Sequence, residues 1–422
     1  MAIAEEFGLR AGNVDGYVAT ADVGQGEAGL HILTHLDVVD AGKGWKVTAP
    51  FQPLVWNGLL YGRGADDDKG PTAAALWALR AVKELGIPLR RSVRLIMGTD
   101  EETGMRDITY YYSRNPYAPY TFSPDAGFPL INIEKGQYRP AFSASWSPSS
   151  ALPRVARLQG GHRLNVIPAS ASALVLGMAQ DALEPYLTAA AEQTGAGFNL
   201  VPVGSGLEVL CSGIGGHAAS PEAACNALTA LLELLAALPL APCGSTNAVL
   251  GLHALFPHGD WLGSALGIAM PDDRSGPLTV SLTLLTLGED GLKGRFDSRT
   301  ALRSSEENCR QAAEAAFRRE GLEIIDFMEM HPPHHTPADS PFVKTLLDCY
   351  RRYTGQEGEA LAIGGGTYVH DIPGGVAFGC SMPGYDTGLH GPDEHIRTAD
   401  LLLSCKIFTH AILALCAEAP EE

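Results

Sequence analysis

Several features that would narrow a function at once are missing from this sequence. Basic charge is scarce, with 30 Lys and Arg against 48 Asp and Glu in 422 residues, a formal net charge of −18. A protein that grips nucleic acid needs a cationic surface to displace counterions, so nucleic acid is not an expected partner. The eight cysteines fall at 211, 225, 243, 309, 349, 380, 405 and 416, with no CxxC pair and none before residue 211. That scatter argues against a disulfide framework and against a thiolate zinc site, and suits reduced thiols in a cytoplasmic protein. No uninterrupted apolar run reaches about 18 residues, so no membrane span is expected. The opening MAIAEEFGLRAGNVDG carries early acids and no apolar core, unlike a secretory signal. Internal repeats and low-complexity tracts are also absent.

What is present is globular: 45% hydrophobic and 18% charged residues, in a chain long enough for two domains. Residues 30–136 alternate between strand-like and helix-like segments. LHILTHLDVV and SVRLIMGTD read as buried strands, and YTFSPD as a further strand-like run. GPTAAALWALRAVKELG reads as a helix with Pro71 in its first turn and a stop at Gly86, and ETGMRDITYYYSR as another. Such alternation predicts an α/β fold with a mixed, mostly parallel sheet flanked by helices, whose ligands gather at the carboxyl ends of the strands. From about residue 137 the texture changes to an α+β pattern. Strands are expected at ASALVLGM, LTVSLTLLTL and LEIIDFMEM, and helices at PEAACNALTALLELLAAL and SEENCRQAAEAAFRRE. After HPPHHTPADSP the first texture returns with FVKTLLDCYRRYTG, IGGGTY, GVAFG and a closing helix from about Ala399. One α/β domain, 1–136 with 332–422, is therefore expected to be interrupted by an inserted domain, 137–331.

The stretch GRGADDDKGP places Asp66, Asp67 and Asp68 side by side, and such a run asks what positive charge sits among them. His35 and Asp37 stand two apart at a strand end, so both side chains face the same side. Glu101 and Glu102 follow directly on a strand end, and Asp125 ends the next strand-like run. Each has an ordinary structural explanation: a core histidine, favourable charge at a helix start, a solvated turn. Gathered at consecutive strand ends, they form the ligand set that zinc takes when thiolates are absent. A hydrolytic pair of cations about 3.5–4 Å apart needs one bridging carboxylate, terminal His and acid ligands, and a free carboxylate as base. The N-terminal half offers only one His for this, and GLHGPDEHI near residue 390 is the place to look for the second.

HLDVVDAGKGW, YGRGADDDKGPTAA, GTDEETG, SPDAGFPLINIEKG, GGHRLNVIPASASAL, GIGGHAASPEAACNAL, IGGGTY, GVAFG and GLHGPDEHI run in order through almost the whole chain. Together they resemble the peptidase V-type zinc dipeptidases, of the superfamily that includes carnosinases, aminoacylases and acetylornithine deacetylases. The resemblance implies a bridging ligand at Asp67, one zinc site completed by His35 and Asp125, and another by Glu102 and His390. It implies Asp37 as the carboxylate that orients a metal-bound imidazole and Glu101 as general base on the bridging water. From the inserted domain, acting as a lid, it implies His217 as oxyanion donor, Asn165 as a substrate contact and Arg299 as partner of the substrate carboxylate. The Gly365, Gly366 and Thr367 backbone is implied at that same end of the substrate.

The expected activity is hydrolysis of unblocked dipeptides by a monomer holding two zinc ions, with manganese or cobalt as substitutes. An N-acyl amino-acid deacylase using the same metals is the alternative, and a catalytically silent binding member is a third reading. The family usually carries a further segment, with a first helix, before AEEFGLRAGNVDGYV, so exposed apolar surface is expected there. Val369 and His370 follow GGGTY where the family often has a small residue and Arg. His395 reads as a packing or surface residue rather than a ligand, and His331, His334 and His335 as hinge composition.

Overall fold

The computed structural model describes residues 1–325 and 329–418. The chain forms two compact units, Met1–Glu134 with His334–Glu422, and Lys135–Pro333. In the first unit one sheet runs in the order Arg10–Val14, Val18–Val23, Ser92–Gly98, Ala28–His35, Tyr120–Ser123, Val376–Ala377, Leu130–Glu134, His334–His335, and Ala360–Ile363 also pairs with Leu130–Glu134. The central strands Ser92–Gly98, Ala28–His35, Tyr120–Ser123 and Val376–Ala377 are parallel neighbours. Both flanks turn antiparallel, through Val18–Val23 on one side and Leu130–Glu134 on the other. Ala28–His35 is buried along nearly its whole length, as a strand covered on both faces must be, which explains its unbroken apolar run.

The helix Lys69–Leu85 lies on this sheet through Ala74, Ala75, Ala78, Leu79 and Val82, a stripe at helical spacing. Gly86 ends it in the left-handed conformation, at φ 65°, where its amide reaches the Lys83 carbonyl. The closing helix Thr398–Cys416 packs on Lys69–Leu85. By length and composition alone it could cross a bilayer, a test that buried core helices also pass, and Asp400 and Lys406 interrupt its apolar run. Here Ile407, Phe408, Ala411 and Ile412 are fully buried in the core of the first unit.

The second unit carries an antiparallel sheet in the order Gly197–Val203, Gly206–Ser212, Ser170–Leu176, Arg154–Gly160, Thr279–Leu287, Gly291–Thr300, Ala141–Ser145, Glu323–Ile324. The helices Ala227–Ala237 and Gly244–Leu255 pack on it. The helix expected from Pro221 starts later. Pro221–Ala223 is a single 3₁₀ turn, and Ala227–Ala237 begins only after Asn226, whose side chain accepts from the Leu228 amide at 3.0 Å. Sequence patterning gave no sign of the helices Gln180–Thr194 and Gly244–Leu255, the first interrupted by Pro185 and the second containing Gly244 and Gly251. Of the expected strand LEIIDFMEM, Glu323–Ile324 forms, and residues 326–328 lie outside the described residues.

His31, buried in the first unit, meets the Tyr112 hydroxyl through Nδ1 at 2.9 Å. Burial, aided by the Arg94 guanidinium, holds it neutral and lowers its pKa to about 4. The unfolded histidine titrates near 6.5, so between these values only the unfolded chain takes the proton. Stability from this group is present above the unfolded value and is lost as pH falls through the window, by about 3 kcal/mol in full. Unfolding free energies of wild type and His31→Gln from urea titrations should therefore converge by about 2–3 kcal/mol between roughly pH 7.5 and pH 4. A constant gap would show that His31 does not titrate this way.

Candidate metal centre

Three adjacent parallel strands deliver the first candidate ligands to one edge of the sheet. His35 is the last residue of its strand, Glu101 and Glu102 open a 3₁₀ turn just beyond Ser92–Gly98, and Asp125 follows Tyr120–Ser123. The loop before Lys69–Leu85 adds Asp67, and the segment before His395–Arg397 adds His390. Two groups of three side chains result, each with ligand atoms within 4.8 Å of one another: His35, Glu101 and Asp125, and Asp67, Glu102 and His390.

Asp67 joins the two groups. Its Oδ1 lies 2.7 Å from His35 Nε2 and its Oδ2 lies 2.8 Å from His390 Nε2. Asp125 Oδ2 is 3.6 Å from the same His35 nitrogen, and Glu102 Oε2 is 3.7 Å from the same His390 nitrogen. On its other side, His35 Nδ1 faces the Asp37 carbonyl at 3.2 Å and carboxylate at 3.3 Å, which fixes the ring and turns Nε2 toward the carboxylates. The Asp37 carboxylate also accepts from the Glu101 and Glu102 amides at 3.3 and 3.1 Å. One residue thus orients a histidine and the turn bearing both glutamates. His390 sits in the left-handed region, at φ 59°, an uncommon conformation for a non-glycine residue and one that recurs at functional sites.

The residues fit a pair of cations. His35 Nε2 and Asp67 Oδ1 are buried and close, yet neither completes a hydrogen bond. With protein groups alone, the crowding of carboxylates is relieved by protons. Burial, reinforced by Asp125, pushes Glu101 up to about 9, and burial, reinforced by Asp67, pushes Glu102 up to about 7. Asp125 is raised by burial and by Asp67. Burial opposes ionisation of Asp67, but the charge of the close His35 ring and the hydrogen bond to His390 outweigh it and hold that carboxyl below the usual range. Burial likewise disfavours charge on His35, and the carboxylates of Asp125, Asp37 and Asp67 overcome it. Hard carboxylate oxygens and imidazole nitrogens without thiolates suit zinc or manganese.

Two curated relatives are a putative dipeptidase of Bacillus subtilis, YtjP, 33% identical over 98% of this chain and 88% of its own length, and a Beta-Ala-Xaa dipeptidase of Lactobacillus delbrueckii, 30% identical over 98% and 88%. Among solved structures, the aminoacylhistidine dipeptidase of Vibrio alginolyticus superposes with a TM-score of 0.59 at 14% identity, covering 99% of this chain and 92% of that one. Human carnosine dipeptidase 1 gives 0.56 at 16% identity, covering 98% and 89%. The description of peptidase family M20/M25/M40 matches residues 31–414. The chain belongs to this family. As an M20 metallopeptidase it is a hydrolase, and its fold is that of the M20 enzymes named above.

Sequence reasoning missed the residue that shapes the Asp67 loop of this M20 peptidase. Glu394, fully buried, accepts from the amides of Gly64 at 3.1 Å, Asp66 at 2.9 Å and Asp67 at 3.2 Å. It also pairs with Arg63 at 2.5 Å, and the same guanidinium reaches the carbonyls of His390 and Gly391. The two segments that carry Asp67 and His390 are thereby tied to one ion pair. Its sequence signal was the Glu of GPDEHI, four residues after His390, an acid in a loop with no solvent-facing pattern. The remaining aspartates of the triplet are structural. Asp66 accepts from Ser381 and Thr387 hydroxyls at 2.6 Å each, and burial raises it to about 6. Asp68 is wholly buried, accepts from the His35 amide at 3.0 Å, and is raised well above the usual carboxylate range by burial and by Asp125.

His395 lies outside both ligand groups, against Tyr61 with ring centroids 5.0 Å apart. His334 is buried on the sheet and bonds the Gly375 carbonyl at 2.8 Å. In the second unit, Val166–Ile167 pairs with Gly216–His217 and the Ala218 amide donates to the Asn165 carbonyl, so Asn165 and His217 are brought together. His217 is exposed, and its Nδ1 accepts from the Ala219 amide at 3.2 Å, which places the neutral-ring proton on Nε2. Arg299 is buried on Gly291–Thr300, where Asp297 holds its Nε and Nη2 at 2.7 and 3.2 Å. Thr367 spends both its amide and its hydroxyl on Glu134 inside the first unit.

Replacing Glu394 by Gln leaves the Arg63 guanidinium buried without its counter-ion. The expected cost is about 3–5 kcal/mol, read as a lower urea midpoint at unchanged m-value. A midpoint equal to wild type would show that the loop holds its shape without the pair.

Proposed function

We propose that this M20 peptidase is a dinuclear zinc dipeptidase that hydrolyses the peptide bond of unblocked dipeptides. The observation that carries the reading is the Asp67 carboxylate, whose two oxygens address two different histidines. A carboxylate so placed is suited to bridge two cations. His35 and Asp125 would complete one ligand set, and Glu102 and His390 the other. The names of the two curated relatives support a dipeptide as substrate. Eight unpaired cysteines suit a reducing compartment and hence the cytoplasm.

When bound, the cations would polarise a peptide carbonyl and ease the deprotonation of water. Glu101 is assigned as the general base. Asp67 supplies the shared ligand that both sets need, which leaves Glu101 for proton transfer, from the attacking water to the leaving amine. Its raised affinity for a proton, set by burial and by Asp125, is the property such a shuttle requires. Asp37 acts through others, fixing the His35 ring and the turn of Glu101 and Glu102. The roles of His217 as oxyanion donor, Asn165 as substrate contact and Arg299 as carboxylate partner belong to the same proposal and rest on the resemblance of their motifs.

The deciding assay is turnover of a free dipeptide beside an N-acetyl amino acid, with zinc-loaded protein and a chelated control. Zinc-dependent cleavage of the dipeptide alone is expected. Cleavage of the acetylated compound alone would make the protein a deacylase. Glu101→Gln should lower kcat by about 10²–10⁴-fold with its metal content retained. Asp67→Ala should lose both metals by elemental analysis, and retention of two would refute the bridge.

A further inference from the structure

Glu134 is a buried acid for which the reading above has no use. It ends the strand Leu130–Glu134, is 1% exposed, and its neighbour across the parallel pairing is Ile363, the residue just before the glycine run. Its Oε1 accepts the Thr367 hydroxyl at 2.9 Å, and both its oxygens lie near the Thr367 amide, at 3.2 and 3.1 Å. His370 Nδ1 meets Oε2 at 3.0 Å. The Thr367 hydroxyl in turn accepts from the Val369 amide and caps the turn Tyr368–Asp371. A buried carboxylate must be satisfied by donors, and all of these lie within residues 367–370.

The glycine run is thus held at both ends from one strand. Upstream, Ala360–Ile363 pairs with Leu130–Glu134, and downstream, Thr367 and His370 close on the Glu134 side chain. Among the described residues, the amides of Gly365 and Gly366 donate to no protein acceptor. Local packing does not call for glycine at 365. A Cβ there would make only ordinary contact, 3.8 Å from Ile363, and its φ is not in the left-handed region. A bare backbone with two adjacent N–H donors is what an anionic or carbonyl group approaching from outside would use. Two residues on, the ring of Tyr368 stands edge-on to His35, with centroids 6.2 Å apart, so the run lies beside the metal centre in the same unit.

We propose that Glu134, with His370 on its second oxygen, is the positioning residue that presents the Gly365 and Gly366 amides to the free carboxylate of the substrate. This deepens the dipeptidase reading and rests on it. It also removes Thr367 from the substrate's donors and makes it an anchor.

The test is binding, measured by calorimetry in the zinc-loaded Glu101→Gln background, of a dipeptide and of its C-terminal amide. The parent should prefer the free acid. Adding Glu134→Ala should reduce that preference roughly tenfold, whereas Glu134→Gln, which keeps an acceptor for Thr367, should retain most of it. Where Glu134→Ala does not fold, Glu134→Asp keeps the charge but withdraws it by one methylene and should show a similar loss. Equal affinity for acid and amide in the parent would overturn the proposal, as would a preference left intact by a folded Glu134→Ala or Glu134→Asp. Failure of the dipeptidase reading shows separately, as absent zinc-dependent turnover in wild type while the binding preference persists.

Discussion

Four carboxylates and two imidazoles share one edge of a buried sheet, and the cost of keeping like charges together governs the first unit. Asp67, Glu101, Glu102 and Asp125 raise one another's proton affinity or lean on histidine to avoid it. The surrounding residues can be understood as answers to that repulsion. Asp37 gathers two amides and an imidazole, Glu394 gathers three amides and a guanidinium, and Asp66 takes two hydroxyls. Asp68, wholly buried and accepting from the His35 amide, is pushed toward its protonated form by burial and by Asp125. An edge held by so many protein hydrogen bonds has the preorganisation that a hydrolytic centre needs.

The sheet supplies this geometry through its parallel centre. Parallel neighbours end on the same side, so His35, the Glu101–Glu102 turn and Asp125 meet without long excursions of chain. Gly98 shows how tightly the edge is built. A Cβ there would fall 2.0 Å from the Tyr368 hydroxyl and 2.3 Å from Asp107 Oδ2, so the strand end accepts only glycine. The Tyr368–Asp107 bond, 2.6 Å long, occupies that space and joins the turn after the glycine run to the helix Arg106–Tyr112.

Much of this was legible in the sequence because it had a period or a boundary. The apolar run to His35, the Ala-rich stripe of Lys69–Leu85 with Gly86 after it, and acids placed just past strands all leave marks in one dimension. The α/β class follows from such marks, while the family showed itself only in the resemblance of motifs such as GRGADDDKGP and GLHGPDEHI. Glu134 and Glu394 have neither period nor boundary. Each is a single acid in an unremarkable context, and its partners are backbone amides, which every residue type offers alike. Asn226 explains the other kind of miss. A side-chain cap decided where Ala227–Ala237 begins, although Pro221 is an equally good first-turn residue by type. A mixed sheet was expected, but which strands turn antiparallel at its flanks was not legible, because pairing direction is not written in a strand's own residues. GVAFG was expected as a strand and forms one over two residues, Val376–Ala377.

That two-residue strand also orders events in time. Val376–Ala377 lies between Tyr120–Ser123 and Leu130–Glu134, so the two halves of the sheet stay unjoined until it is in place. On a ribosome the whole of Lys135–Pro333 is synthesised first, and that unit closes on itself from residues already made. At about 5–20 residues per second, the open strand edges of the first unit wait on the order of tens of seconds for their centre. His390 and Glu394 follow later still. A nascent chain therefore holds Asp67, Glu101, Glu102 and Asp125 early but cannot complete this cluster until His390 has been made.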